Sequence, residues 1–553
     1  MSATSISIPA GRPASSTPSP FPADLSHSPL LGILGVLLGA AIATLTGRLV
    51  GLGLVDLKGS VGIGYDEGAW IGSAFNVATM FIGPFSVYLS GLLGTRPLLL
   101  VCASVFTVVC AFLPLVHSYS LLIVLLAIAG LTSGPFYPLT LAFALRNIPL
   151  RYLALVLALY AFFIEGAVNF APSIYGFFRN HVSFAWMFWL PAIATPVMMM
   201  CVYFGIPKSP RPQSKKQPPS FAGFFYLSAG CALLFAALDQ GQRLDWWRSG
   251  LFNALVAGSA LFFLCSLFER LRRPNFLVDL PYLRNGNTIL LGFALFSFRF
   301  VLLGTVVIIP LSLSVRGLDA EQYGSAVFWT AVFEFGLALV GALLLYKGID
   351  SRLLMAIGFT AVAFACLVSS TFTSAWAPEN YFRSELLMGV GQSFAMLGLV
   401  ASLILQAAFS GALEAPQRAL TFSAFFHTVR LLGGQLGVAL MGHFIDGQEK
   451  LHSNLLGLHV QSGNWLTDAT LHGLAAGLAG RSNGVAGATG RALDVIGSKL
   501  RLQAYALTFI DAFHLLAWTC VAMLLVTAVL RKSPMNFRQL PALQEGSSQE
   551  NQQ

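Results

Sequence analysis

The chain has 553 residues, of which 56% are hydrophobic and only 10% are charged. A water-soluble domain carries about 25% charged residues, so a soluble enzyme or binding domain of this size is excluded, and lipid must be the solvent for much of the surface. The formal charge of +9 does not point to nucleic acid: the basic residues sit in short loops between apolar runs, as the positive-inside rule requires, and no basic helix with interleaved aromatics occurs.

Residues 1–29 are rich in Ser, Pro and Ala and read as a disordered cytoplasmic tail, without the basic-then-apolar order of a cleavable signal. A span needs roughly 20 apolar residues to cross about 30 Å of hydrocarbon. That window predicts helices near 30–54, 69–93, 97–117, 120–145, 152–178 and 184–206, an amino-terminal six-helix bundle over 30–206. A basic, Pro-rich cytoplasmic linker follows at 207–220, then two accessory helices within 221–270, near 221–240 and 249–270. Six more runs, near 286–312, 323–346, 352–372, 381–408, 417–445 and 502–531, give a carboxy-terminal bundle over 271–531, with a second cytoplasmic tail at 532–553. The fold class expected is therefore an all-α polytopic membrane protein of about 14 spans, two pseudo-symmetric six-helix bundles with two accessory helices between them.

Basic residues such as Arg96, Arg146, Lys208, Lys215, Arg270 and Lys347 concentrate in the loops on the side of the first residue. Both termini are accordingly expected in the cytoplasm. Residues 446–501 are the one sizeable extramembrane element and fall outside by parity. There Leu451, Leu455 and Leu458 recur at helical spacing, so the segment is expected to hold either short amphipathic helices or a loosely ordered loop.

The seven cysteines lie inside apolar runs with no CxxC pair and read as packing residues, which leaves no disulfide framework and no metal site to expect. Neither a GxxxxGK[ST] loop nor an HExxH helix occurs, so no cofactor and no enzyme activity are expected.

An ionisable side chain inside a span is costly and is a functional candidate by default. The first bundle offers Arg48 and Glu165, the latter sharing a helix face with Asn169, Pro172 and Gly176; Ser73, Asn76 and Met80 share a face of the second span. The second bundle offers Arg299, Glu334, the pair Arg383 and Glu385 (with Gln392 on the Glu385 face), and the stripe His427, Arg430, Gly434 and Gly437. Asp511 and His514 lie near the outer end of the last span. Burial disfavours the charged form of a carboxylate, so Glu165, Glu334, Glu385 and Asp511 are the proton-coupling candidates. Glu165 and Glu334 lead, being deepest in their helices. The competing reading is a static ion pair locking helices together, Arg48 with Glu165 for instance. Arg383, Glu385 and Asp511 sit close enough to helix ends for snorkelling to explain them. Substrate-binding candidates are Arg48, Asn76, Asn169, Arg299, Gln392, His427 and Arg430, with His427 expected to be a satisfied packing histidine. Gly130, Gly134, Pro135 and Pro138 mark the fourth span as a place of close helix approach and bending.

Several of these stretches resemble the fourteen-helix, EmrB/QacA-type drug:proton antiporters of the major facilitator superfamily. Residues 426–442, FHTVRLLGGQLGVALMG, are similar to that family's thirteenth-helix signature, with Arg430, Gly433, Gly434 and Gly437 in the matching places. QAYALTFIDAF at 503–513 is similar to its last-helix entry, and LPYLRNGNTILLGF at 280–293 to the approach to its ninth helix. Gly94 and Arg96 follow the loop between helices two and three, where the family's acidic residue is replaced by Gly91. Gly130, Gly134 and Pro138 follow the fourth-helix motif, whose Arg falls at Leu126. EGAVNFAPSIYGFF at 165–178 resembles the Gly/Pro antiporter motif of helix five, carrying Pro172 and Gly176. In helix one the family's usual acidic residue aligns with Thr46, and Arg48 stands two positions later.

The resemblance implies alternating access about a site near the midplane and proton-coupled export of amphiphilic small molecules across a bacterial inner membrane. Arg48 and Arg299 tilt the expected cargo toward neutral or anionic compounds such as aromatic acids. The family also implies a periplasmic adaptor protein, leading to an outer-membrane channel, docked on 446–501. Two other readings stay open: uptake or exchange of a specific organic anion, and a non-transporting scaffold or receptor, against which the charges spread over several spans weigh.

Overall fold

The computed structural model describes residues 29–147, 152–206, 220–272, 285–409, 416–481 and 484–532, together with Phe537. The first tail, the body of the basic linker at 207–220 and almost all of the second tail lie outside these residues. Among the described residues, 14 helices are long and apolar enough to cross a membrane. A bilayer cannot hydrogen-bond the backbone, so each crossing segment must satisfy its own N–H and C=O groups, which a helix does.

The first bundle consists of span 1 (Leu30–Leu52), span 2 (Tyr65–Leu93), span 3 (Thr95–Leu115), span 4 (Tyr119–Phe143), span 5 (Leu153–His181) and span 6 (Trp186–Gly205). The accessory pair is span 7 (Phe221–Gln240) and span 8 (Gly250–Arg272). The second bundle is span 9 (Gly286–Ser314), span 10 (Ala320–Tyr346), span 11 (Ser351–Ser369), span 12 (Pro378–Ala407), span 13 (Phe422–Gly457) and span 14 (Gly484–Val529). The six, two, six order expected from the sequence is the order observed.

Local chemistry sets the helix ends. Asp319 caps span 10 by accepting from the Gln322 N–H, and the Gln322 side chain returns the bond to the Asp319 N–H, a reciprocal capping box. Asp350 and Asn285 cap spans 11 and 9 in the simpler way. Span 4 is broken at Gly134–Pro135 into two helices, Tyr119–Ser133 and Phe136–Asn147, where the missing proline N–H interrupts the ladder. Its small residues meet span 2 closely: a Cβ on Gly130 would stand 2.2 Å from the Phe75 carbonyl oxygen.

The two bundles meet along spans 5 and 10, and again where spans 2 and 4 approach span 13. Span 7 packs on span 2 and touches span 13, so the accessory pair leans on both bundles; span 8 packs mainly on span 7. Arg96 is buried beside span 6, donating to the Tyr203 carbonyl at 2.8 Å with its guanidinium over the Tyr203 ring. Gly94, which precedes it, has φ +88°, where glycine is favoured.

Residues 446–501 are more ordered than either expectation. Span 13 belongs to one helix running Pro416–Gly457, and span 14 continues a helix that starts at Gly484. A further helix, Trp465–Leu478, packs on span 14 between them. The segment is a helical extension of two spans and not a loop. His452 and Asp511 pair at 2.7 Å, and Arg501 reaches Glu449 at 3.4 Å, contacts that hold the two long helices together at its base.

Candidate functional site

Near mid-height, spans 1, 2, 4, 5, 7, 9 and 13 enclose a cavity of about 230 Å³. Much of its wall is apolar, with Phe75, Phe235, Leu302, Val306, Leu431 and Val438 contributing. Into this wall are set three guanidinium groups, those of Arg48, Arg299 and Arg430.

Each arginine is held differently. Arg48 donates to the Val306 carbonyl at 2.6 Å, from the first bundle to the second. That carbonyl is available because the residue four positions later is Pro310, which has no N–H to give it. The same stretch of span 9 is loosened into a π turn at Gly304–Ile308. Arg299 pairs with Glu165, its Nη1 lying 3.1 and 3.2 Å from the two carboxylate oxygens. Gly434 faces this pair, where a Cβ would come within 3.5 Å of Arg299 Nε. Arg430 donates to Thr44 Oγ1 at 3.3 Å and lies 4.3 Å from the centre of the Tyr137 ring. All three Nε atoms are buried without a hydrogen-bond partner among the described residues. Among the described residues no Asp or Glu lines the cavity, and of the three arginines only Arg299 has a carboxylate partner, Glu165, which lies behind the wall. The ion pair raised as a possibility in the sequence, Arg48 with Glu165, is replaced by Arg299 with Glu165.

A second polar layer lies behind this wall. Asn169 Nδ2 donates both to Glu334 Oε1 at 3.2 Å and to Gln392 Oε1 at 3.0 Å, and Gln392 Nε2 donates to Thr305 Oγ1 at 3.0 Å. The chain of bonds joins spans 5, 10, 12 and 9 and leaves Glu334 Oε2 without a partner among the described residues. Of the substrate-binding candidates, Arg48, Asn76, Arg299, His427 and Arg430 line the cavity, whereas Asn169 and Gln392 belong to this second layer.

His427 is buried against Gly83 and the Tyr137 ring, and neither ring nitrogen has a partner among the described residues. It is not the satisfied histidine expected. Glu385 also departs from expectation: it is 0% exposed, which rules out snorkelling, and both carboxylate oxygens lack partners among the described residues. Arg383, two residues earlier, is exposed. Asp511 stands apart from the cavity, bound to His452 at the base of the extension. Gly433 and Gly437 let span 13 lie against Phe296 and Phe300 of span 9. Pro138 is buried in the second helix of span 4, and Pro172 inside span 5.

Sequence reasoning passed over Asp239 of span 7, which accepts from Ser73 of span 2, Gln240 and Gln435 of span 13. It stands at the end of the predicted span 221–240, and no local pattern marks it.

The family model described as Major Facilitator Superfamily matches residues 36–438. The chain belongs to the major facilitator superfamily. It is 24% identical to the multidrug export protein EmrB of Haemophilus influenzae, over 82% of this chain and 87% of that protein. It is equally 24% identical to the fatty acid resistance protein FarB of Neisseria gonorrhoeae, over 87% of this chain and 91% of that one. The solved structure of the proton:xylose symporter XylE shares the fold, with a TM-score of 0.54 at 13% identity over 93% of this chain and 98% of the symporter. The fourteen-helix EmrB/QacA-type resemblance seen in the motifs is thus borne out by whole-chain relatives. This major facilitator protein is a multi-pass membrane transporter and not an enzyme.

Proposed function

We propose that the protein exports amphiphilic anions, of the aromatic-acid or fatty-acid class, across a bacterial inner membrane in exchange for protons, with both termini cytoplasmic. The observation that carries this reading is the cavity: an apolar wall set with three guanidinium groups, of which only Arg299 is paired with a carboxylate among the described residues. An apolar tail is accepted by many weak, shape-tolerant contacts, and a carboxylate head by the arginine donors. A relative named for fatty acid resistance is consistent with that cargo class.

Glu334 is the residue assigned to proton coupling. Glu165 is committed to Arg299, whereas among the described residues Glu334 has the neutral Asn169 amide on one oxygen and no donor on the other. Its bonds to Asn169, and onward through Gln392 to Thr305, cross from span 5 of the first bundle to spans 10, 12 and 9 of the second. Protonating Glu334 weakens its pull on the Asn169 amide, and so changes the tie between halves that alternate in access. The outer helical extension at 446–501 is the surface assigned to a periplasmic adaptor, on family analogy.

The test is substrate-induced proton movement in proteoliposomes with cationic, neutral and anionic aromatics, comparing wild type with Glu334→Gln and Glu165→Gln. Anion-dependent proton flux that Glu334→Gln abolishes, with substrate counterflow retained, is the expected result. Flux driven only by cations, or unchanged in Glu334→Gln, overturns the reading. Uptake or exchange of an organic anion uses the same cavity, and transport in inside-out vesicles separates the directions.

A further inference from the structure

Asp239 sits in span 7, outside both six-helix bundles, yet it is bonded to each of them. Ser73 of span 2 in the first bundle shares a short hydrogen bond with Oδ2. From span 13 in the second bundle, Gln435 Nε2 donates to Oδ1 at 2.9 Å. Gln240 Nε2 donates to Ser73 Oγ at 2.5 Å and to Asp239 Oδ2 at 3.3 Å. Gln435 also lines the central cavity.

The cations nearby are engaged elsewhere. Arg243 pairs with Asp66 at 3.0 Å and donates to Gln240 Oε1 at 2.6 Å. Arg248 pairs with Asp245, and Arg430 holds Thr44. On span 13, His443 lies against Trp246, and Asp446 accepts from Gln242. On span 2, Glu67 is at the opening turn, its carbonyl taken by Tyr119. Span 8 carries Glu269, Arg270 and Arg272 at its far end. Asp239 is therefore a largely buried carboxylate with no ion-pair partner among the described residues, held by neutral groups alone.

We propose that Asp239 is a second proton-binding site, through which the accessory helices take part in the alternation of the two bundles. The hydrogen bonds supply two states that differ by one proton. With Asp239 ionised, Ser73 gives its hydroxyl hydrogen to Oδ2, Gln435 donates to Oδ1, and the carboxylate clamps span 2 to span 13. With Asp239 protonated, its own O–H donates to Ser73 Oγ, and the Ser73 hydrogen turns to the Ala69 carbonyl, 3.3 Å away. The neutral acid is then a weaker acceptor for Gln435, span 13 is released, and the cavity wall that Gln435 forms is freed to move. The proton enters and leaves as a single added or lost ion, so no other reactant is needed.

This deepens the proton-coupled reading above, but its deciding test, a spectroscopic titration, uses no substrate and fails or succeeds independently of it. The full chain in lipid nanodiscs is titrated with pH while infrared spectroscopy follows the protonated-carboxyl stretch, for wild type, Asp239→Asn and Glu334→Gln. The expected result is loss of one titrating carboxyl band in Asp239→Asn that survives in Glu334→Gln. Identical titrating bands in wild type and Asp239→Asn overturn the proposal, as does a band that follows sodium at fixed pH. If Asp239→Asn does not fold, Gln435→Leu retains the carboxyl and removes one donor. A displaced band in that variant supports the proposal, and an unmoved one overturns it.

Discussion

Arg48 supplies to the Val306 carbonyl the hydrogen bond that Pro310 cannot. The contact, 2.6 Å long, ties span 1 of the first bundle to the loosened middle of span 9 in the second. An anion in the cavity competes with that carbonyl for the guanidinium. Hydrogen bonds to charged groups contribute about 1.5–3 kcal/mol. Arg48→Ala is accordingly expected to weaken binding of an anionic amphiphile by roughly 10- to 100-fold, with a neutral analogue of the same shape little affected. Pro310→Ala restores an N–H to the carbonyl and is expected to tighten anion binding. Equilibrium binding to the purified protein at two salt concentrations checks both, and equal losses for anionic and neutral ligands in Arg48→Ala would remove the anion-binding role.

Glu165 and Arg299 form another link between the bundles at the cavity, with side chains 4% and 16% exposed. Removing one member of a buried pair strands the other charge and costs about 3–5 kcal/mol. Arg299→Ala is expected to lower the thermal midpoint in detergent steeply. The double variant Glu165→Gln with Arg299→Gln removes both charges and is expected to recover most of that loss. No recovery in the double variant would mean that packing around Arg299, and not charge, carries the effect.

The spans were legible because each is a run of about 20 apolar residues, a signal that needs no partner to be read. The Arg-Gly-Gly stripe of span 13 was legible for a similar reason, since Arg430 and Gly434 recur at helical spacing. Partnership was not. Glu165 and Arg299 are 134 positions apart, and nothing local distinguishes Arg299 from Arg48 as the partner of that carboxylate. Glu385 was misread because distance along a helix from its end does not report what covers it; here it is fully buried. The extension was misread because beyond the bilayer the hydropathy signal stops, although the helices carrying His452 and Leu493 do not. Asp239 was passed over because its partners Ser73 and Gln435 belong to two different bundles.

Spans 5 and 10 pack backbone to backbone. A Cβ on Gly176 would stand 2.2 Å from the Glu321 nitrogen, and one on Gly324 would stand 2.7 Å from the Ser173 nitrogen. Backbone cannot swing aside as a side chain does, so Gly176→Ala must push the spans apart. Overpacking of this kind costs about 1–3 kcal/mol. Gly336→Ala, also in span 10 but with nothing within 4 Å, is the matched control and is expected to be neutral or stabilising. Thermal unfolding of the purified variants separates the two, and an unchanged midpoint in Gly176→Ala would show that the spans are not in close contact in the membrane.

The helical extension is the surface assigned above to the proposed adaptor. The helix Trp465–Leu478 has no buried residue, and Leu458, Trp465 and Leu466 are large apolar side chains left 63%, 78% and 59% exposed. Exposed apolar clusters of this kind mark contact surfaces, whereas the cavity and the Glu334 network lie far along the spans from this tip. The base of the extension is held separately, by His452 with Asp511 and Arg501 with Glu449. Replacing Leu458–Arg481 by a short Gly/Ser linker therefore leaves both the base and the cavity in place. Transport in proteoliposomes is expected to stay near wild type, while resistance of intact cells to the transported compound falls at least several-fold if the extension docks the proposed adaptor. Unchanged cellular resistance would sink the docking role. Loss of proteoliposome transport as well would assign the extension to the alternation of the bundles instead.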